Sequence, residues 1–319
     1  AVAEECQSGE TVIKFSHVVS ASGHPKGDAA TLLAKRVNAE MDGKACMRVF
    51  PDSRLYDDDK VMEALLLGNV HLAAPSLSKF EAYTLKFRLF DLPFLFQDLA
   101  AVERFTRSEA GRGLLTAMTD VGFLGLGYWT SGLKQFSANR PLLIPEDAQG
   151  LTFRVQTSDV AVAMIEAVGA SARKLAFRDV YNALKTGVVD GQENPWITIK
   201  SSKFNEVQDY ATETNHVYTP FITLVSKRFW DRLPEEYQQL LRDAATKMGN
   251  YQRDVSRTLN DQIKQDLKDS GMQITELTDE QIKVFQNKLE PVYKNWRDEI
   301  GGELIDQIRT KVQQAQAQQ

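Results

Sequence analysis

The sequence is poor in the residues that most catalytic and metal sites use. Its 319 residues include two cysteines and four histidines, and the histidines do not lie at metal-ligand spacing. Motifs of the forms HExxH, GxSxG and GxxxxGK are absent from the sequence, which argues against a zinc protease, a serine hydrolase and a P-loop nucleotide-binding protein. We therefore expect no catalytic residue, no metal, no cofactor and no enzymatic activity.

Long apolar runs and blocks of one charge are also missing. The longest apolar runs, such as VGFLGLGYW, fall well short of the ~18–20 residues that a membrane span needs. Charged residues make up 25% of the sequence, acids and bases are interspersed, and the net charge is −5. This pattern argues against nucleic acid as a partner. Because no heptad repeat is present, we expect a monomer.

The first residues, AVAEEC, contain no methionine and no basic segment followed by an apolar one. This start is typical of a mature chain whose signal peptide has been removed, or of a trimmed chain.

The two cysteines lie near the starts of two predicted strands. Cys6 precedes the strand at 12–19, and Cys46 opens the strand at 45–50. If these strands are parallel neighbours, their starts lie close together and a disulfide is feasible. A disulfide would favour an oxidising compartment. The alternative is a pair of unrelated free thiols.

Strands and helices alternate along the first part of the chain. Strands are predicted at 12–19, 45–50 and 70–76, with a helix starting at Pro25 and another at 57–67. Pro25 suits the first turn of a helix, and Gly43 suits the left-handed position after its end. The β-α-β-α-β order predicts a parallel sheet covered by helices. A second β-α-β-α series follows Gly150.

The length and the 43% hydrophobic content allow two cores. We expect an α/β fold of two lobes joined by a hinge. Lobe I comprises 1–128 and about 217–252, and lobe II comprises 129–216 and about 253–319. A long helix at 234–270 spans both, and 123–139 is predicted as one long strand that crosses between them. Small ligands bind in clefts between such lobes, at the carboxyl ends of parallel strands.

One arginine lies where a buried residue is expected. Arg154 stands between Phe153 and Val155 in an otherwise apolar strand. A carboxylate is the best match for its guanidinium, which can donate two parallel hydrogen bonds. No acidic residue lies beside it at strand spacing, so a ligand could supply the anion. The alternatives are a backbone carbonyl or an acidic residue from elsewhere in the chain.

Several segments occur in an order that resembles a known family. They include KFSHVV, FDLPFLF, EDAQGLTFRVQTSD and the highly specific AFRDVYNALKTGVVDGQENP. Over nearly its whole length the chain resembles the extracytoplasmic solute receptors of tripartite ATP-independent periplasmic (TRAP) transporters. The resemblance implies a two-lobe fold like that of periplasmic binding proteins, with a long C-terminal helix. The strings VMEALLLGNVHLAAPSLSKF and GLKQFSANRPLLIPED are most similar to the branch that binds succinate, fumarate and malate.

The resemblance implies roles for three residues of the second lobe. Arg154 would clamp a substrate carboxylate, and Asn194 of DGQENP would be a second carboxylate contact. Lys134 stands where sialic-acid-binding relatives often have arginine, and it would meet the ligand directly or through water. The alternatives are a helix-cap or turn role for Asn194 and a solvated strand position for Lys134.

Four further residues are candidates for the same site. Ser76 and Lys79 occupy the matching contact positions in PSLSKF, and Lys79 could hold the distal carboxylate of a diacid. His17 follows the first strand, and Phe177 could wall the pocket. Lys79 could equally be a surface residue, and His17 and Phe177 could equally belong to the core.

The resemblance therefore implies a periplasmic receptor that captures a C4-dicarboxylate in an interlobe cleft, closes over it and delivers it to a TRAP permease. A keto acid, sugar acid or aromatic acid would use the same Arg154. Less favoured alternatives are a signalling sensor, and an enzyme that would draw on Asp190 or Glu193 as its acid or base.

Overall fold

The computed structural model describes residues 6–41, 43–130, 132–218 and 220–316. The strands are β1 (Thr11–Ser16), β2 (Ala45–Phe50), β3 (Leu72–Ala73), β4 (Phe123–Trp129), β5 (Gln135–Ala138), β6 (Thr152–Val155), β7 (Ser171–Lys174), β8 (Gln192–Asn194), β9 (Tyr210–Glu213), β10 (Phe221–Ser226) and β11 (Gln273–Glu276). The α-helices are α1 (Pro25–Met41), α2 (Val61–Leu67), α3 (Leu99–Arg107), α4 (Glu109–Leu114), α5 (Asp159–Ala167), α6 (Val180–Thr186), α7 (Trp196–Ser201), α8 (Lys227–Trp230), α9 (Glu235–Asp269), α10 (Asp279–Ile300) and α11 (Gly302–Gln316).

The chain forms two compact units. Unit 1 comprises Ala1–Ser76, Gly113–Ser131 and Pro220–Thr258, and unit 2 comprises Leu77–Arg112, Gly132–Thr219 and Leu259–Gln319. Both combine sheet with helix, so the predicted α/β class is confirmed. The segment Leu77–Arg112 clusters with unit 2, although its place in the sequence predicts it in lobe I. Its 3-10 turn at Lys86–Asp91 packs against α5 and α10, which accounts for this placement.

Unit 1 is built on a five-stranded sheet of order β2-β1-β3-β10-β4. The predicted parallel arrangement holds for β1 with β2 and β3, but β10 pairs antiparallel with both β3 and β4. Helix α1 begins at Pro25 as predicted, and Gly43 has a φ of +76° after its end. The apolar positions of α1 at every fourth residue lie in one core cluster with the sheet; they are Ala29, Leu33, Val37 and Met41.

Unit 2 contains a four-stranded sheet of order β11-β9-β5-β8 and a separate parallel pair, β6 and β7. Strand β5 is antiparallel to β8 and β9, so this sheet is mixed. Gly191 lies where three backbones approach one another, since a Cβ there would come within 2.4 Å of the Ser137 carbonyl oxygen. The close approach positions β6 beside the start of β8.

The segment 123–139 is two strands rather than the predicted single one. Strand β4 belongs to the sheet of unit 1 and β5 to the sheet of unit 2. Between them Gly132 has a φ of +101°, a conformation that glycine adopts without strain. Alternating apolar residues on both sides of this turn produced the prediction of one continuous strand.

The C-terminal part of the chain is mostly helical. Helix α9 extends over 35 residues and contributes to both units, because their boundary falls after Thr258. Helix α10 begins with a capping box, in which Thr278 and Gln281 exchange side-chain to backbone hydrogen bonds. In the described part of the chain, no helix is both long and apolar enough to cross a membrane.

Cys6 and Cys46 form the predicted disulfide, which joins residues 40 positions apart. Strands β1 and β2 are parallel with Thr11 opposite Ala45, so the cysteines stand beside neighbouring strand starts. The bridge therefore connects the beginnings of two adjacent core strands.

We expect replacement of both cysteines by serine to lower the free energy of unfolding by up to roughly 4 kcal/mol, because a loop of this length is no longer closed in the unfolded chain. Urea unfolding of the wild type and the double variant measures the difference. Reductant should destabilise the wild type and leave the double variant unchanged. Equal stability of the two proteins would contradict a stabilising role for the disulfide.

Candidate functional site

Arg154 is held by the backbone around it. Its backbone N–H donates to the Gly191 carbonyl oxygen at 2.9 Å, and its side-chain Nε and Nη2 donate to the Leu175 carbonyl oxygen at 3.1 and 2.9 Å. The residue is 2% exposed. A carbonyl oxygen fixes the plane of the guanidinium without contributing a full negative charge. The structure thus contains the carbonyl contact that the sequence left as one alternative for Arg154.

Phe177 lies close to this arginine. The Arg154 Cζ atom is 5.9 Å from the centroid of the Phe177 ring, a distance at which a cation is attracted to the ring face. Phe177 is half-buried and meets Phe204 edge to face at 6.2 Å. It is therefore joined to the core of unit 2 on one side and to the guanidinium on the other.

Lys134 precedes β5 and forms a buried ion pair. Its Nζ atom is 3.0 Å from Glu193 Oε1 and donates to Gln156 Oε1 at 2.8 Å. The other Glu193 oxygen lies 2.7 Å from His216 Nε2, and His216 Nδ1 lies 2.6 Å from the Thr214 hydroxyl. The His216 ring stacks on Phe136 at 4.0 Å. Lys134 is thus part of a chain of buried polar groups, and its predicted contact with ligand stays a prediction.

The charges of these linked polar groups, Lys134, Glu193 and His216, follow from their contacts and burial. Burial alone would raise the pKa of Glu193, but Lys134 and His216 outweigh it and lower that pKa to about 2. Burial also lowers the pKa of His216, despite the opposing effect of Glu193. Glu193 is therefore ionised and lies between a lysine and a neutral imidazole. The Nε2–H tautomer of His216 fits both of its contacts.

Asn194 ends β8 directly beside this chain. Its amide nitrogen donates to Gln192 Oε1 at 2.8 Å, and it stands opposite Gln135 in the register of β5 and β8. It is 9% exposed. Its side chain is therefore oriented by its own strand.

Lys79 reaches the segment that follows β6. Its Nζ atom donates to the Thr157 hydroxyl at 3.3 Å, and the residue is buried rather than at the surface. Next to Thr157, Ser158 donates to buried Asp91 at 2.8 Å. Burial raises the pKa of Asp91.

These contacts gather five of the seven predicted ligand residues in unit 2. Arg154 lies on β6, and Lys134 and Lys79 contact the two residues that follow the end of this strand. Asn194 stands opposite the neighbour of Lys134 in the register of β5 and β8, and Phe177 contacts Arg154. Three basic side chains thus converge on the carboxyl end of one strand. We call this group the β6 cluster.

The other two predicted residues, Ser76 and His17, lie in unit 1 and are buried. Ser76 forms an isolated bridge with Phe221. Lys26 Nζ lies 3.8 Å from the centroid of the Phe221 ring and donates to the Ala74 carbonyl oxygen at 3.1 Å. Unit 1 therefore holds a buried lysine that the sequence analysis missed.

A local signal could have identified Lys26. It follows Pro25 in the first turn of α1, where the helix dipole disfavours a positive charge. A basic residue at this position needs a compensating anion or a functional reason. The Glu193–His216 contact gives no such signal, because the residues are 23 positions apart and come from different segments.

The structure is that of an α/β solute-binding protein. Residues 15–299 match the model of the DctP family, described as bacterial extracellular solute-binding protein, family 7. The chain belongs to this family.

Three similar proteins illustrate the range of the family. The C4-dicarboxylate-binding periplasmic protein DctP of Vibrio cholerae is 49% identical over 95% of this chain and 92% of its own. A TRAP periplasmic solute-binding protein from Shewanella oneidensis, solved with bound succinate, is 40% identical with a TM-score of 0.92 and covers 94% of this chain and 98% of its own. The sugar acid binding protein DctPAm from Advenella mimigardefordensis, solved with galactonate, is 30% identical with a TM-score of 0.92 and covers 97% and 100%.

We expect Glu193→Gln to lower the free energy of unfolding by about 3–5 kcal/mol, because it leaves the buried Lys134 without its anionic partner. Asp231→Asn, which breaks the exposed Lys227–Asp231 pair, is the matched control and should cost less than about 1 kcal/mol. Urea unfolding at neutral pH measures both. Equal losses of unfolding free energy in the two variants would contradict a stabilising role for the buried Lys134–Glu193 pair.

The same carboxylate predicts a pH dependence. Its pKa is lower in the folded protein than the ordinary 4.5, so its stabilising contribution is complete above pH 4.5 and is lost as the pH falls toward 2. We expect the wild type to lose about 3 kcal/mol more than Glu193→Gln over this range. Parallel curves of unfolding free energy against pH would exclude this contribution.

Proposed function

We propose that this protein is an extracytoplasmic receptor that captures a C4-dicarboxylate such as succinate, fumarate or malate. The β6 cluster carries this proposal. Arg154 is buried and oriented by the Leu175 carbonyl, while Lys134 and Lys79 contact the residues just beyond the same strand. A small carboxylate placed there would meet a rigid guanidinium and nearby ammonium groups, an arrangement that suits an anion.

Two carboxylates are favoured over one because the β6 cluster alone contains three buried basic side chains, Arg154, Lys134 and Lys79. Burying a dianion without partners would cost many kcal/mol. The three basic side chains of the β6 cluster would offset that cost. The names of the Vibrio cholerae and Shewanella oneidensis relatives support the same ligand class.

The proposed activity is binding without chemical conversion. Glu193, the acid considered for an enzymatic role, has one oxygen on Lys134 and the other on His216, and its low pKa keeps it ionised. Asp190 accepts a hydrogen bond from the Thr152 amide at 2.8 Å. Both acids therefore have structural partners, which disfavours them as proton donors.

The partner we propose is a TRAP membrane permease, which receives the captured anion from the ligand-bound receptor. The family description as extracellular solute-binding protein and the disulfide between Cys6 and Cys46 support a periplasmic location. We propose that the receptor acts there as a monomer.

A sugar acid is the second candidate ligand, because the galactonate-bound relative has the same fold. A thermal-shift screen over C4-dicarboxylates, keto acids, sugar acids and aromatic acids tests the choice. Ligand binding stabilises the folded protein in proportion to ln(1 + [L]/Kd), so the shifts rank the acids. We expect succinate, fumarate or malate to give the largest shift; a larger shift with galactonate would replace the dicarboxylate assignment.

We expect Arg154→Ala to weaken succinate binding by ~30-fold to several thousand-fold, which corresponds to about 2–5 kcal/mol for removal of one partner of a buried charge pair. Arg173→Ala is the matched control. Arg173 stands opposite Arg154 in the register of β6 and β7, but it is exposed. Isothermal titration calorimetry measures both affinities. Wild-type affinity in a folded Arg154→Ala protein would refute the carboxylate clamp.

Incubation of the purified protein with succinate, fumarate or malate should leave each compound unchanged. Proton NMR of the mixture over a day measures this directly, with a protein-free sample as control. Conversion in the protein sample alone would identify an enzyme instead of a receptor.

A further inference from the structure

Lys26 lies in surroundings that penalise its positive charge. It is 2% exposed; Ala74 supplies a carbonyl oxygen and Phe221 an aromatic face. Burial lowers its pKa to about 7, and Asp58 opposes this effect. An anion beside a lysine that titrates near neutral pH would stabilise the protonated form of its amine.

His17 adds unused hydrogen-bonding capacity next to this lysine. It is 3% exposed; the Val19 backbone lies near enough to raise its pKa, but neither ring nitrogen has a partner at hydrogen-bond geometry among the described residues. Ser53 donates its backbone N–H to the His17 carbonyl oxygen. Its hydroxyl likewise has no hydrogen-bond partner in the described part of the chain. Burial, and then repulsion from Lys26, lowers the pKa of His17 to about 3. Buried polar atoms of this kind call for a partner such as a water molecule, an ion or a ligand, and here a basic side chain lies beside them.

We propose that Lys26 and His17 bind one carboxylate of the ligand, and that filling this subsite takes up a proton from solvent onto the Lys26 amine. The inference rests on the proposed capture of a dicarboxylate and identifies the groups in unit 1 that receive it. His17 in its neutral form has an N–H to donate, and Lys26 becomes an ammonium that pairs with the anion.

The proton goes to Lys26 rather than to its neighbours for a physical reason. The titratable groups that face it are His17 after β1, His24 just before α1, and Asp58 before α2. Burial lowers the pKa of His24 well below its ordinary value, and Lys26 and His17 lower it further. Asp58 carries the opposite charge and favours the ammonium. Lys26 is therefore the group closest to half-protonation at neutral pH.

The test is calorimetric titration of succinate in two buffers that differ in ionisation enthalpy, such as PIPES and Tris, at several values of pH. We expect uptake of about half a proton per ligand at pH 7, rising toward one at pH 8. Because the unliganded amine loses its proton above pH 7, affinity should fall about tenfold between pH 6 and pH 8.

Three variants separate the roles of the groups. Lys26→Met should weaken binding by at least ~30-fold, and Lys35→Met on the exposed face of the same helix is its control. Lys26→Arg keeps a charge that does not titrate, so it should remove proton uptake while succinate still binds. His17→Gln should weaken binding yet keep the uptake. Thermal unfolding without ligand shows that each variant is folded; Lys26→Met should be at least as stable as the wild type, because it removes a buried charge.

Unchanged affinity in Lys26→Met, or buffer-independent enthalpies in the wild type at pH 7–8, would overturn this inference while the receptor function stands. Proton uptake that persists in Lys26→Arg would also overturn it, since another group would then be the acceptor. Failure of the wild type to bind succinate by calorimetry and by thermal shift would overturn the proposed dicarboxylate function and this inference together.

Discussion

Positive charge removed from water is the constraint that organises both units. A buried ammonium or guanidinium destabilises the fold unless oxygen atoms surround it, and three of the buried cations among the described residues have different partners. Lys134 has a full anionic partner in Glu193. Arg154 is oriented by a carbonyl oxygen. Lys26 has a carbonyl oxygen and an aromatic face. The partners described for these three groups thus range from a carboxylate to a carbonyl oxygen and an aromatic ring.

Neighbouring strands hold Arg154, Lys134 and Asn194 in place. The β6 strand is fixed from one side by β7 and from the other by the backbone at Gly191, where no Cβ could be accommodated. Lys134 and Asn194 flank the facing ends of β5 and β8. Strands therefore position Arg154 and Asn194, and Lys134 lies directly before β5, so the backbone at these three residues is held in place.

The sequence allowed prediction of those features that depend on local pattern. The strand around Arg154, the start of α1 at Pro25, the capping box at Thr278 and the closeness of the two cysteines all follow from short-range rules. The turn at Gly132 interrupted a run that looked continuous, so β4 and β5 could not be separated by periodicity. Helix α11 was likewise not anticipated in a polar tail, although Ile305 and Ile308 anchor its start in the core.

Features that depend on tertiary contacts were not predictable in this way. Glu193, Lys134 and His216 come from separate segments, so no spacing in the sequence reveals that they form one chain of contacts. The position of Lys26 in the first turn of α1 is a local signal, but its carbonyl partner Ala74 is 48 positions away and no spacing in the sequence reveals that contact. The carbonyl of Leu175 reaches Arg154 across a connection after β7 that the sequence does not specify.

The disulfide at Cys6 lies before the start of strand β1, and His17 directly follows the end of this strand. Strand β1 is the parallel partner of both β2 and β3, and its side chains alternate between the two faces of the sheet. A shift by a single residue would send Ile13 and Phe15 to the opposite face and turn the His17 ring away with them. The Cys6–Cys46 bond restricts that shift at the far end of the strand. Oxidation of two sulfur atoms thus helps to determine, a full strand length away, the direction in which an imidazole points.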